Sequence, residues 1–207
     1  MSAQCGNSHN NNLANSPRYR KILWIALIVN LAMFVIEISA GFKSGSTSLL
    51  ADAIDFFGDA ANYGVSLAVL SAGVVLRARA AFLKGVCMMA FGLFVLGRAA
   101  WMHSLGGTPE ALTMGSIGFL ALVANVAVAA MLYAYREGDA NMRSVWLCSR
   151  NDAIGNIAVM LAALGVVGTG SAWPDLLVAC GMAMLALTGG WSVLAQALRE
   201  MKLPAAA

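Results

Sequence analysis

The chain has 207 residues, 60% of them hydrophobic and 11% charged, with a net charge of +3 and a mean hydropathy of +0.75. Soluble domains carry about 25% charged residues, so the composition excludes a water-soluble globular protein and predicts an all-α integral membrane protein. The small positive charge fits basic loops and gives no ground for a nucleic-acid partner.

Residues 1–20 are polar, with Asn7-Ser8-His9 and Asn10-Asn11-Asn12. They read as a disordered tail without the apolar stretch and cleavage site of a signal peptide, and His9 reads as a solvated residue of that tail. Six apolar spans follow, at roughly 22–42, 48–74, 80–101, 112–135, 144–168 and 173–196, each near the ~20 residues that cross ~30 Å of hydrocarbon. They form a six-helix transmembrane unit over 21–197, with a short tail at 198–207. Gly106-Gly107-Thr108-Pro109 and Gly170-Ser171-Ala172-Trp173-Pro174 are turns. The cysteines (Cys5, Cys87, Cys148, Cys180) are scattered with no CxxC, which argues against a disulfide framework or a zinc knuckle.

Thirteen Lys and Arg residues set the orientation. Arg18, Arg20, Lys21, Arg77, Arg79, Lys84, Arg136, Arg143, Arg199 and Lys202 fall on the side of the N-terminus. Lys43 and Arg98 fall on the other side, and Arg150 lies inside the fifth span. The positive-inside rule therefore puts both termini in the cytoplasm, with the chain in a cell membrane of the bacterial inner-membrane kind. About a dozen residues follow the last span, and no GxxxxGK[ST] motif is present. Transport is expected to run on a gradient or a partner subunit.

Acidic residues interrupt the apolar spans. A carboxylate in hydrocarbon costs roughly 2.5–3.5 kcal/mol on the insertion scale, and the second span holds three: Asp52, Asp55 and Asp59. Asp55 and Asp59 are i, i+4 and stack on one face about 6 Å apart. At that spacing two carboxylates share a divalent ion as hard oxygen ligands. Empty, they repel, and one tends to take up a proton. The fifth span supplies Asp152 and, again i+4, Asn156. Counted at 1.5 Å per residue, both pairs lie ~16–18 Å from their starting surfaces on antiparallel helices. The spacing predicts one midplane site of Asp55, Asp59, Asp152 and Asn156.

Each of these residues has a plainer alternative. Asp152 pairs either with a metal or with Arg150 or Arg143, and Asn156 is either a ligand or an interhelical hydrogen-bonding residue. Asp52, near the outer helix end, is either a first-turn acid suited to the helix dipole or an accessory rung of the path. Asn62 continues the Asp55 and Asp59 face, as rung or packing contact. Glu37 shares a face of the first span with Asn30 and reads as a structural hydrogen-bonding acid or a proton-linked accessory residue. Asn125 reads as a helix contact, Asp175 as a first-turn acid of the sixth span, and His103 as a solvated loop residue.

On these residues the chain resembles the cation diffusion facilitator family of divalent-metal/proton antiporters. Asn30, Glu37 and Gly41, then Ser46-Thr47-Ser48-Leu49-Leu50-Ala51-Asp52-Ala53, carry the resemblance. The family next shows a His or Asp followed four residues later by Asp, here Asp55 and Asp59. A His-x-x-x-Asp pair in the family's fifth span completes a tetrahedral site, and Asp152 and Asn156 fall at matching places. The resemblance implies six transmembrane helices of the cation-efflux kind, cytoplasmic termini, a homodimer, and export of a divalent metal against protons. The family's cytoplasmic metal-binding domain is expected to be missing, leaving a short form. An all-oxygen ligand set leans toward manganese, with iron or cobalt also served, where zinc favours nitrogen and sulfur.

The expected function is secondary active export of a divalent cation of the Zn/Mn/Fe/Co/Cd class, with the ion as cargo and no resident cofactor. The alternative is a non-transporting membrane metal sensor or assembly subunit on the same fold. An intramembrane enzyme is the weakest reading, since no HExxH or GxSxG motif is present. Trp24, Trp101, Trp146, Trp173 and Trp191 lie near span ends as interfacial anchors.

Overall fold

The computed structural model describes residues 17–69, 74–135 and 140–202. The expectations for His9, Cys5 and Arg136 lie outside these residues, and the side chains of Arg77, Arg143, Cys148 and Lys202 lie outside what is described. Six long helices follow one another: α1 (Pro17–Ser44), α2 (Thr47–Val69), α3 (Val74–Leu105), α4 (Ala111–Leu132), α5 (Ala140–Thr169) and α6 (Trp173–Lys202). A 3-10 turn at Tyr133–Tyr135 extends α4.

The helices overrun the spans expected from hydropathy. Pro17 opens α1 inside the stretch read as tail, where a proline's missing N–H costs nothing. Helical hydrogen bonding continues past the apolar stretch into the basic ends, which a hydropathy window does not register. Among the described residues, five helices are long and apolar enough to cross a membrane. The exception is α2, which at 23 residues has the length but carries three aspartates.

Polar residues mark the interior of this bundle. The buried residues of α1 are Tyr19, Leu23, Ala26, Asn30, Met33, Glu37, Gly41 and Ser44, a 4-3 stripe that faces its neighbours. The outer face of α1 carries Trp24, Ile28, Leu31, Val35 and Phe42, all exposed. Both faces are apolar because lipid replaces water outside, so helix association rests on close packing and interhelical hydrogen bonds.

Three antiparallel pairs, α1–α2, α3–α6 and α4–α5, make the closest contacts, and α2 touches all five other helices. Small residues set the α3–α6 approach. A Cβ at Gly85 would lie 3.0 Å from both the Gly190 carbonyl oxygen and the Leu194 nitrogen. Between α1 and α2 the chain reverses at Gly45, whose φ of 72° suits glycine. The start of α1 and the end of α6 lie on one face of the bundle, called here the terminal face. Trp24, Trp146 and Trp191 sit toward it along their helices, and Trp101 and Trp173 toward the opposite face.

On the opposite face Asp175 ties α6 to α2. Its carboxylate accepts from the Thr47 and Ser48 backbone N–H groups at 2.8 and 3.0 Å and from the Ser46 and Ser48 hydroxyls at 2.7 and 2.6 Å. Asp175 is an acid at a helix N-terminus, as expected, but it caps the neighbouring helix α2 in addition to standing in the first turn of α6.

Candidate metal site

Asp55, Asp59 and Asn62 of α2 open on a cavity of about 330 Å³ that Lys84 of α3, Asp152 of α5 and Gly189 of α6 help to line. A neighbouring cavity of about 470 Å³ shares Asp55 and Asp152 and runs between α5 and α6. Asn62, Lys84 and Gly189 all lie on the half of their helices nearer the terminal face, so the cavity reaches toward that face.

Asp59 is 4% exposed. Its Oδ2 accepts from the Tyr63 hydroxyl at 2.9 Å and from the Ser149 hydroxyl at 3.5 Å. The two hydroxyls are themselves 2.6 Å apart. Tyr63 has one proton to give, so when it points at Asp59 the Ser149 hydroxyl serves Tyr63. The Asp152 carboxyl lies beside that of Asp59. An α2 pair and an α5 acid therefore meet at one depth, as the rise of two antiparallel helices predicts. Among the described residues no three His, Cys, Asp or Glu side chains close on a single point, so the three carboxyls line the walls of one chamber.

Asn156 does not join them. It is fully buried, donates Nδ2 to Asp52 Oδ2 at 2.7 Å and accepts from Asn125 Nδ2 at 2.9 Å. The expected four-residue site thus resolves into Asp55, Asp59 and Asp152 at the cavity and Asn156 one helical turn beyond. The reason is geometric: α5 climbs about 6 Å over four residues, which carries Asn156 past Asp55 to the level of Asp52. Asp52, at 0% exposure, is an interior residue. Glu37, also at 0%, stands beside it, and Asn125 is the helix contact expected of it.

Arg150 does not serve Asp152. Its guanidinium lies over the Trp146 ring, 5.4 Å from the centroid, and donates to Asn151 Oδ1 at 3.1 Å. His103 is exposed and lies 4.9 Å from the Trp173 ring. Asn30 turns its amide back to the Ala26 carbonyl at 2.8 Å.

Three residues at the site were not singled out from the sequence as site residues. Tyr63 is i+4 from Asp59, and Ser149 is i−3 from Asp152, so the spacing that found the acids also reaches these hydroxyls. Lys84 counted as a basic loop charge. It lines the cavity from α3, inside the expected third span. Its ammonium donates to Asn62 Oδ1 and its charge faces Asp59.

Sequence comparison fits this architecture. The profile of the cation efflux transmembrane domain matches residues 23–74 and 76–201. The chain is 26% identical over 201 residues to the cadmium, cobalt and zinc/H(+)-K(+) antiporter of Bacillus velezensis, covering 89% of this chain and 63% of that protein. It is 26% identical over 204 residues to the protein of the same name from Bacillus subtilis, covering 91% and 63%. To zinc transporter ZitB of Escherichia coli it is 24% identical over 195 residues, covering 88% and 62%. The chain thus spans just under two thirds of the length of these relatives.

Proposed function

The chain belongs to the cation efflux transmembrane-domain family, the cation diffusion facilitators, and we propose that it exports a divalent metal cation by proton antiport, with Asp55, Asp59 and Asp152 as ligands. The observation that carries this reading is the meeting of carboxyls from α2 and α5 in one cavity. The names of the relatives, which are antiporters and zinc transporters, support it. They also favour transport over catalysis.

Carboxylates bind a divalent ion only when deprotonated, so metal and protons compete for the same oxygens. Metal held in one helix packing and protons in the other bias alternating access. The excess of Lys and Arg toward the terminal face supports a cytoplasmic setting for both termini. The cavity then loads from the cytoplasm, while the Asp175 clasp keeps the far end of α2 shut. The oxygen-rich walls suit manganese, iron(II) and cobalt, and the relatives' names add zinc and cadmium to the panel. The homodimer implied by family resemblance belongs to the same proposal, and the mass of the detergent-solubilised protein tests it.

The deciding experiment is flux in proteoliposomes under a pH gradient, with manganese, iron(II), cobalt, zinc and cadmium, beside Asp59→Ala and Asp152→Ala. Proton-driven flux of at least one metal, lost in both variants, is expected. A folded wild-type protein that moves none of them would overturn the proposal in favour of a sensor or assembly subunit.

A further inference from the structure

One turn beyond the cavity, four helices meet in a second polar layer: Glu37 of α1, Asp52 of α2, Asn125 of α4 and Asn156 of α5, each no more than 1% exposed. The amides form a directed chain. Asn125 Nδ2 donates to Asn156 Oδ1 at 2.9 Å, and Asn156 Nδ2 donates to Asp52 Oδ2 at 2.7 Å. That leaves Asp52 Oδ1, both Glu37 oxygens and Asn125 Oδ1 buried without a hydrogen-bond partner. The carboxyls of Glu37 and Asp52 adjoin.

Among the described residues this layer has a surplus of acceptors and no basic side chain. The groups facing Glu37 and Asp52 are Asp55 on α2, Asp152 and Asn156 on α5, and Asn125 on α4. None is basic, and Lys84 faces Asp59 at the other end of the α2 acids. Two adjoining buried carboxylates repel. A single proton between them turns that repulsion into an O–H···O bond and supplies the missing donor. A divalent ion suits the layer less well, because the Asn156 amide N–H, a donor, already holds one Asp52 oxygen.

We propose that Glu37 and Asp52 are a proton-binding carboxyl pair, distinct from the metal ligands, that holds the counter-transported proton. The inference rests on the antiport reading for its role in transport. Asp55 links the two layers, since it stands one turn from Asp52 and its charge reaches Glu37. A divalent ion arriving at Asp55 repels the shared proton. The O–H bond breaks, the proton leaves toward the terminal face, and both carboxyls remain as carboxylates, balanced in charge by the metal. After metal release, a proton from the opposite face restores the pair.

The test combines infrared difference spectroscopy with proton counting on the purified full chain. Before metal is added, the wild type should show the C=O stretch of a buried carboxylic acid, lost in Glu37→Gln and in Asp52→Asn. On titration with zinc(II) or manganese(II) in weak buffer, the wild type should release about one proton more than Glu37→Gln, and the variant should bind metal about tenfold more weakly, as linkage between the two sites requires. Absence of the acid band from the metal-free wild type would overturn the site. Equal proton release from wild type and Glu37→Gln would overturn its coupling. If the wild type moved no metal in vesicles, the antiport reading would fall, and the metal-free band would still decide whether the pair holds a proton. Loss of the band in Glu37→Gln assigns it to the pair, since a protonated cavity acid would absorb in the same region, and Asp52→Asn stands in if Glu37→Gln fails to fold.

Discussion

Asn156 donates to Asp52 across the α5–α2 interface at 2.7 Å, and that bond commits its amide to the second polar layer, away from the cavity that Asp152 lines one turn earlier on the same helix. The two residues of α5 that share a face therefore have separable roles. Asn156→Ala strips the donor from Asp52 and the acceptor from Asn125, at a cost of about 1–3 kcal/mol. The expected outcome is a lower unfolding midpoint in detergent with metal affinity changed by less than about threefold. Asp152→Ala should abolish metal binding. Loss of binding in Asn156→Ala as well would return the amide to the ligand set.

Tyr63 holds Asp59 by a 2.9 Å hydrogen bond and so orients a carboxylate proposed as a metal ligand from behind. Partners of this kind are worth about 10–100-fold in metal affinity. Tyr63→Phe should weaken binding by at least about tenfold, and Ser149→Ala by less, since its bond to Asp59 is longer at 3.5 Å. Equilibrium dialysis of both variants checks the order, and an unchanged affinity in Tyr63→Phe would reduce Tyr63 to a packing role.

Lys84 brings a fixed positive charge into the chamber proposed to hold the cation. Its ammonium stands with Asn62 at the terminal-face end. Lys84→Gln keeps a donor for Asn62 and removes the charge. Metal should bind tighter, on the order of tenfold or about 1.4 kcal/mol. Weaker binding in a calorimetric titration would mean that the lysine organises the acids.

Asp175 gathers four hydrogen bonds at the N-terminus of α2, where a negative charge also meets the helix dipole. Asp175→Ala should destabilise the detergent-solubilised protein by about 2 kcal/mol. Asp175→Asn keeps an acceptor and should cost roughly half as much. Denaturant unfolding followed by helix content reads both, and an unperturbed Asp175→Ala would rule out the clasp as a source of stability.

If the cavity carboxyls are the metal ligands, as proposed, their protonation removes donors, so metal affinity should rise with pH and level off once all three are ionised. A binding curve flat in pH would contradict carboxylate ligation.

Much of this protein is legible in its sequence because a membrane imposes so few solutions. Six apolar stretches of the length that crosses hydrocarbon become six helices, since only there are all backbone groups satisfied. Acids inside those stretches stand out against the apolar background for the same reason. Helical spacing put Asp55, Asp59 and Asn62 on one face, and helix rise brought Asp152 to the depth of Asp59. These are one-dimensional facts that survive folding.

The tertiary structure decided which of the aligned residues share a chamber. Spacing along α5 gave Asp152 and Asn156 equal standing; the register of α5 against α2 separated them, because Asp52 was there to take the amide. Lys84 moved from loop charge to cavity wall, and Asp175 reached across to a helix that starts 128 residues before it. Contacts of that kind depend on which helix packs beside which and at what height. In a bundle whose outer face is as apolar as its inner one, hydropathy carries no record of either.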